Sequence, residues 1–259
     1  MELNVSLREG DLREVGGVAR ALEAQGIEGL WSAETQHDPF LPLAVAAVAT
    51  ERLRLGTALA IAFARSPMVL AHVAWDLQRA SRGRFALGLG TQVKAHNERR
   101  FSVPWSAPAP RLREVVLALR AIWRAWQRRE PLAFRGQHYR FDLMTPFFDP
   151  GPIDHPDIPI HLGAVNPAMC RLAGEVADGV LVHSFHSARY LAEVVRPAVA
   201  EGARAAGRRP EAIALHARVF AIVGDAEAER AEMREAVRRQ IAFYASTRTY
   251  APVLAVHGW

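Results

Sequence analysis

Apolar residues along this chain fall into two alternating rhythms. Short β-branched runs take turns with longer stretches of helical period, which predicts βαβ units around a parallel sheet. Leu3 to Leu7 reads as a first strand, followed by a helix from Asp11 to Gln25 with Asp11 and Glu14 spaced as a capping box and Gly26 as its stop. Gly29 to Ala33 gives a second strand, Pro42 to Thr50 an apolar helix, and Leu53 to Ile61 a third strand. Ser66-Pro67 supplies a cap and a proline for a helix running to Ser81, and the turn Arg82-Gly83-Arg84 feeds a fourth strand, Phe85 to Gly90.

A long connection follows. It contains an amphipathic helix from Arg111 to Arg128, on which Val115, Leu119, Ile122 and Trp126 share one face. A segment rich in Pro, Gly and aromatics, about 131–157, has no clear period and reads as an insertion loop of the kind that lines binding sites. Ile158 to Gly163 is the fifth strand, with Pro167 to Ala177 as its helix, and Val180 to His183 is the sixth. A helix from Ser187 to Ala206 leads to a seventh strand, Ile213 to Val223, and Asp225 caps a helix reaching Tyr244.

The order is that of a (β/α)8 TIM-type barrel lacking its eighth strand and C-terminal helices. The sequence alone leaves three explanations: a C-terminally incomplete barrel, an open seven-stranded variant, or an open doubly wound sheet. The apolar run Val253 to Trp259 favours the first. An unclosed strand edge predicts poor solubility or homo-oligomeric association.

Composition narrows the class. Half of the 259 residues are apolar and 23% are charged, enough for one large core, and no low-complexity tract divides the chain, so residues 1–259 read as a single domain. No run approaches a spanning helix and the N-terminus lacks a signal peptide's pattern, which predicts a cytoplasmic protein without a membrane partner. The net charge of +5 rests on arginines alternating with glutamates along helices, a pattern of solvated faces that argues against nucleic acid as partner. A single cysteine, Cys170, excludes an internal disulfide and a thiolate-rich metal site.

In a barrel the chemistry sits just after each strand. The residues at those places are Glu34 to Asp38, Thr57 and Ala58, Gly90 to Asn97, Gly163 to Asn166, and His183, Ser184 and His186, a clustering of polar residues after apolar strands. Gly88-Leu89-Gly90 is too short for a dinucleotide fingerprint and reads more simply as close strand packing. Gly163-Ala164-Val165-Asn166 opens a helix whose free N–H groups suit a phosphate, although any βα turn offers similar groups. His183 and His186 are the only close histidine pair and suggest no third ligand, so no metal is expected. Glu34 and His37 stand at a strand mouth where they could form an acid/base pair, His37 because imidazole titrates near neutral pH, although an isolated histidine is more often a hydrogen-bonded structural residue.

Thr57-Ala58-Leu59 through Arg65-Ser66-Pro67, Ser81-Arg82-Gly83-Arg84-Phe85 through Thr91, Leu112-Arg113-Glu114 with Ala121-Ile122-Trp123, and Ala173-Gly174-Glu175-Val176-Ala177-Asp178-Gly179 together resemble the ordered signatures of luciferase-like monooxygenases. Glu34 to Leu41, Gln92 to Phe101 and Phe243 to Thr247 resemble the subgroup that uses the deazaflavin coenzyme F420. The resemblance implies an F420-dependent oxidoreductase passing a hydride between the ring and a small organic substrate. An FMN-dependent monooxygenase and a non-catalytic flavin-binding barrel are the alternatives, and a barrel hydrolase or lyase without redox chemistry is a third. It also implies catalytic roles for Glu34 and His37, with Thr35 standing where relatives carry a ring-contacting histidine. Thr57-Ala58 is implied as the site of a non-prolyl cis peptide under the ring, Asn97 and His183 as cofactor contacts, and Gly163, Ala164 and Val165 as the phosphate-holding turn.

Overall fold

The computed structural model describes residues 2–8 and 10–259, and its contacts group the chain into two compact units, Met1–Leu162 and Gly163–Trp259. In the first unit the strands are β1 (Asn4–Ser6), β2 (Gly29–Ser32), β3 (Arg54–Thr57), β4 (Ala60–Ile61), β5 (Phe85–Gly90) and the start of β8 (Ile160–Ala164). They run parallel in the order β1-β2-β3-β5-β8, with β4 also alongside β5. The helices α1 (Leu12–Ala24), α2 (Leu41–Ala49), α3 (Pro67–Ala80), α4 (Lys94–Arg99) and α5 (Pro108–Arg128) alternate with them.

The register sorts the side chains into two faces. Leu30, Leu55, Phe85, Leu87 and Leu89 share one face and are buried to within a few per cent; α2 lies against β2 and β3, and α3 against β5. The opposite face carries Trp31, Gly56, Ala86, Gly88 and His161. There Trp31 stacks on His161 at 5.7 Å, and its indole lies so close over Gly56 that a Cβ would come within 2.3 Å of it. A parallel sheet covered by helices on one side is hydrophobic there and lined by smaller or functional residues on the other.

Two half-buried charged side chains tie the helical layer to the strands. Arg84 donates to the carbonyls of Ala47, Thr50 and Leu53 and to the Thr50 hydroxyl, closing the C-terminal end of α2. Glu23 accepts the backbone N–H groups of Glu51, Arg52 and Leu53. Arg84 thereby satisfies carbonyls that the end of α2 leaves orphaned, and Glu23 satisfies the N–H groups of the turn that follows it.

In the second unit α6 (Pro167–Val176) precedes β9 (Gly179–Val182), which pairs in parallel with β10 (Ala214–Ala217). Between them a short helix α7 (Ala188–Tyr190), a π-helical turn (Leu191–Val195) and α8 (Arg196–Ala205) form one continuous rod. α6 and α8 cross on glycines: a Cβ on Gly174 would lie 2.1 Å from the Val199 carbonyl, and one on Gly202 1.9 Å from that of Arg171. α9 (Glu227–Ala245) and α10 (Ala251–Ala255) follow.

The structure departs from the sequence expectations at several ends. Asp11 caps α1 through Arg13 N–H, and Glu14 donates to the Asp11 carbonyl instead of reaching back to its N–H, so the capping box is not formed. The third strand breaks into β3 and β4, because the chain bulges at a non-prolyl cis peptide between Ala58 and Leu59, one residue later than the Thr57-Ala58 position. The seventh strand stops at Ala217; Val219, Ile222 and Val223 are exposed, and a β-branched run without a neighbour to pair with gains nothing from extension. Ala226, not Asp225, occupies the cap position of α9. The 131–157 segment contains a hairpin, β6 (Phe134–Arg135) and β7 (Arg140–Phe141), pinned to α5 by Glu114, whose carboxylate accepts the N–H groups of Gln137, His138 and Tyr139.

Candidate functional site

At the C-terminal ends of β2, β4 and β5 the first unit gathers most of the residues singled out in the sequence. Strand β2 ends into the loop 33–40, which holds Glu34, Thr35, His37 and Asp38. Glu34 is the innermost: its backbone N–H donates to the Leu59 carbonyl at 3.1 Å, and its Oε2 accepts from Ile61 N–H at 2.7 Å and from Arg65 Nη1 at 2.6 Å. Arg65 Nη2 in turn donates to Asp38 Oδ2 at 2.9 Å. His37 and Thr35 are exposed on the same loop, and the Thr35 carbonyl accepts from Arg100 Nη2 at 2.6 Å.

Thr57 is fully buried. Its hydroxyl donates to the Gly88 carbonyl at 2.7 Å and accepts Gly88 N–H at 2.8 Å, so it replaces a stretch of ladder between β3 and β5 and its side chain is not free for a ligand. Ala58 N–H donates to the Ser32 carbonyl, which anchors the start of the bulge. The Leu59 side chain lies across Gly90, where a Cβ would come within 2.6 Å of it. The missing side chain of Gly90 thus makes room for Leu59 on the face opposite the helices.

Asn97, on α4, is 0% exposed. Its Nδ2 donates to the carbonyls of Thr91 and Val93, at 2.9 and 3.1 Å. Two carbonyl acceptors fix which end of the amide is nitrogen. That leaves Oδ1 buried without a hydrogen-bond partner. Such an atom costs roughly 1–3 kcal/mol unless something supplies a donor.

The second unit holds the remaining residues. Ala164 is buried and the Val165 carbonyl accepts the Tyr190 hydroxyl at 2.8 Å. Asn166 caps α6 by accepting Met169 N–H at 3.0 Å. His183 accepts Phe185 N–H at Nδ1, which leaves its proton on Nε2 to be donated to the Tyr250 hydroxyl at 3.2 Å. It stacks on Tyr250 and meets the edge of Tyr244. Burial, then the nearby charges of Arg218 and His186, lower its pKa to about 4.

Sequence reasoning singled out Arg65 only as part of a signature, without the role it plays here. The signal was present: Ile61-Ala62-Phe63-Ala64-Arg65 is an apolar run ending in one charge, and a charge carried into such surroundings needs an opposite partner. The Arg111 guanidinium, which donates to the Tyr139 hydroxyl and lies 4.4 Å from the Phe63 ring centroid, joins α5, the hairpin and the turn after β4, and no sequence pattern announces it. Among the described residues no group of three or more His, Cys, Asp or Glu could hold a metal ion, and no helix is long and apolar enough to cross a membrane.

A family model described as luciferase-like monooxygenase matches residues 3–259. An uncharacterized protein of Mycobacterium tuberculosis strain H37Rv is 50% identical over 248 residues, which are 96% of this chain and 73% of that protein. An F420-dependent glucose-6-phosphate dehydrogenase of Nocardia farcinica is 31% identical over 217 residues, 78% of this chain and 62% of its own length. Among solved structures, the coenzyme F420-dependent tetrahydromethanopterin reductase of Methanopyrus kandleri superposes with a TM-score of 0.71 at 23% identity, covering 98% of this chain and 82% of that one.

Proposed function

From the premise that the chain belongs to the luciferase-like monooxygenase family and is an oxidoreductase of that type, we propose that it transfers a hydride between coenzyme F420 and a small organic substrate. The observation that carries the reading is the buried, unpartnered Oδ1 of Asn97 beside the glycine-lined end of β5: it fits an N–H donor of a flat heterocycle. The F420-dependent relative from Nocardia farcinica supports the deazaflavin over FMN. When bound, the deazaflavin supplies the hydride chemistry; the protein supplies position and electrostatics.

In this reading Asn97 accepts from the ring and the Ala58-Leu59 bulge supports it. Thr57 acts through Gly88, by holding β3 and β5 together beneath that bulge. Thr35 and His37 border the site from the loop after β2. His37, exposed and free to exchange with solvent, is the proton-handling group, while Glu34 is engaged through Oε2. The Gly163-Ala164-Val165 turn is assigned to the cofactor's phosphate and His183 to a cofactor contact by family resemblance.

The test is a titration of the purified chain with F420 and with FMN separately, following cofactor fluorescence. Saturable F420 binding that Asn97→Leu weakens about tenfold, the cost of one buried hydrogen bond, is the expected result. Binding of FMN alone would replace the proposal by a flavin monooxygenase, and binding of neither would overturn it.

A further inference from the structure

Three charged side chains from two separate segments, the loop after β2 and the turn after β4, meet beside the bulge after β3. Arg65, from the turn after β4, is 17% exposed at its side chain; Glu34 is 7% and Asp38 38%. The guanidinium spans both carboxylates, Nη1 to Glu34 and Nη2 to Asp38, and lies 5.4 Å from the Phe40 ring centroid. Burial opposes the charge, but the hydrogen bonds and Coulomb attraction of Glu34 and then Asp38 more than offset it and raise the guanidinium above its ordinary value.

Each carboxylate also holds backbone. Glu34 Oε2 takes Ile61 N–H, while Glu34 N–H donates to the Leu59 carbonyl, so a single residue holds the chain where the bulge runs into β4. Asp38 Oδ1 accepts Phe40 N–H at 2.8 Å and Leu41 N–H at 3.3 Å, where α2 begins. Removing the guanidinium would leave two carboxylates facing each other at a partly buried place, and a lysine, with one compact ammonium, cannot reproduce the fork.

We propose that Arg65 is a positioning residue of the cofactor site: by donating to Glu34 and Asp38 together it locks the segment Leu59–Ile61, where the bulge runs into β4, against the loop after β2, and Glu34 serves as a backbone anchor instead of a proton carrier. The proposal rests on the reading that the ring of a deazaflavin or flavin lies against that bulge. The polar strand-end cluster thereby divides into a framing set, Glu34, Asp38 and Arg65, and an exposed set that includes His37.

The full-length chain carrying Arg65→Lys, Glu34→Ala or Glu34→Gln separates these roles through two readouts: amide exchange at Ile61 without cofactor, and affinity for F420 and FMN titrated separately. Arg65→Lys and Glu34→Ala are expected to speed Ile61 exchange about tenfold, leave β8 amides unchanged, and weaken binding of the preferred cofactor about tenfold. Glu34→Gln keeps an amide oxygen for Ile61 N–H and Arg65, and both readouts are expected within about threefold of wild type. Should Arg65→Lys fail to fold, Asp38→Asn takes its place, since it preserves the cap on Phe40 while removing the charge Arg65 bridges to. Wild-type values for Arg65→Lys in either readout would overturn the proposal, as would Glu34→Gln being as damaging as Glu34→Ala. If the wild-type chain binds neither cofactor, the functional reading and the cofactor role fail together, and Ile61 exchange alone still decides whether Arg65 clamps the bulge.

Discussion

Single residues here work mainly by satisfying backbone groups. Arg84 donates to three carbonyls and a hydroxyl, and burial pulls its guanidinium below the ordinary arginine range. Arg84→Met leaves those acceptors at the end of α2 without donors, and urea denaturation should show a loss of roughly 2–4 kcal/mol. His183 makes a pH-dependent contribution. Its folded pKa of about 4 lies below the ordinary 6.5, so between those values the unfolded chain binds the proton and the folded chain does not. The stability it contributes is present above pH 6.5 and drains away as pH falls towards 4. His183→Leu should flatten that part of the stability profile, and an unchanged acid slope would refute the assignment. Neither role was visible in the sequence, which marked Arg84 as part of a signature and His183 as one of a close histidine pair and a cofactor contact; the carbonyls and aromatic rings brought around them define the roles described here.

Among elements, close approach sets what is tolerated. α6 and α8 cross where Gly174 and Gly202 meet backbone carbonyls, so Gly174→Ala must push the helices apart. A loss of at least about 3 kcal/mol in chemical denaturation is expected, larger than helix propensity alone would give with the opposite sign. The hairpin of β6 and β7 depends on Glu114 in the same way. Burial pulls its carboxyl upward, but three backbone N–H donors hold it below the ordinary glutamate range. This stabilisation is present above the ordinary glutamate value and is lost as pH falls through the lower folded one. Glu114→Ala should accelerate amide exchange at Gln137, His138 and Tyr139 while leaving α5 protected. The longer helices were legible because amphipathic periods are local, whereas the short α4 and α10 were not; nor was the hairpin, because its two short strands are held by a helix more than twenty residues away in sequence.

For the molecule as a whole, the lone thiol is a useful reporter. Cys170 is buried against Val165 and Tyr190, and burial pushes its pKa up to about 11. The native protein should therefore resist an aromatic disulfide reagent, whereas denaturant should release one equivalent; rapid reaction of the native chain would contradict the packing of α6.

The sequence by itself determined the alternation of parallel strands and helices, the faces that go to the core, and the places along the chain where chemistry could sit. Those features follow from periodicity, caps and turns, which act over a few residues. Tertiary structure alone decided that the third strand would break into a bulge, that Thr57 would spend its hydroxyl on a neighbouring strand, that Asn97 would keep one bare buried acceptor, and that Arg65 would bridge Glu34 and Asp38. Each of these depends on which distant groups arrive within hydrogen-bonding distance, and a buried polar atom's role is set by the partners the fold brings to it.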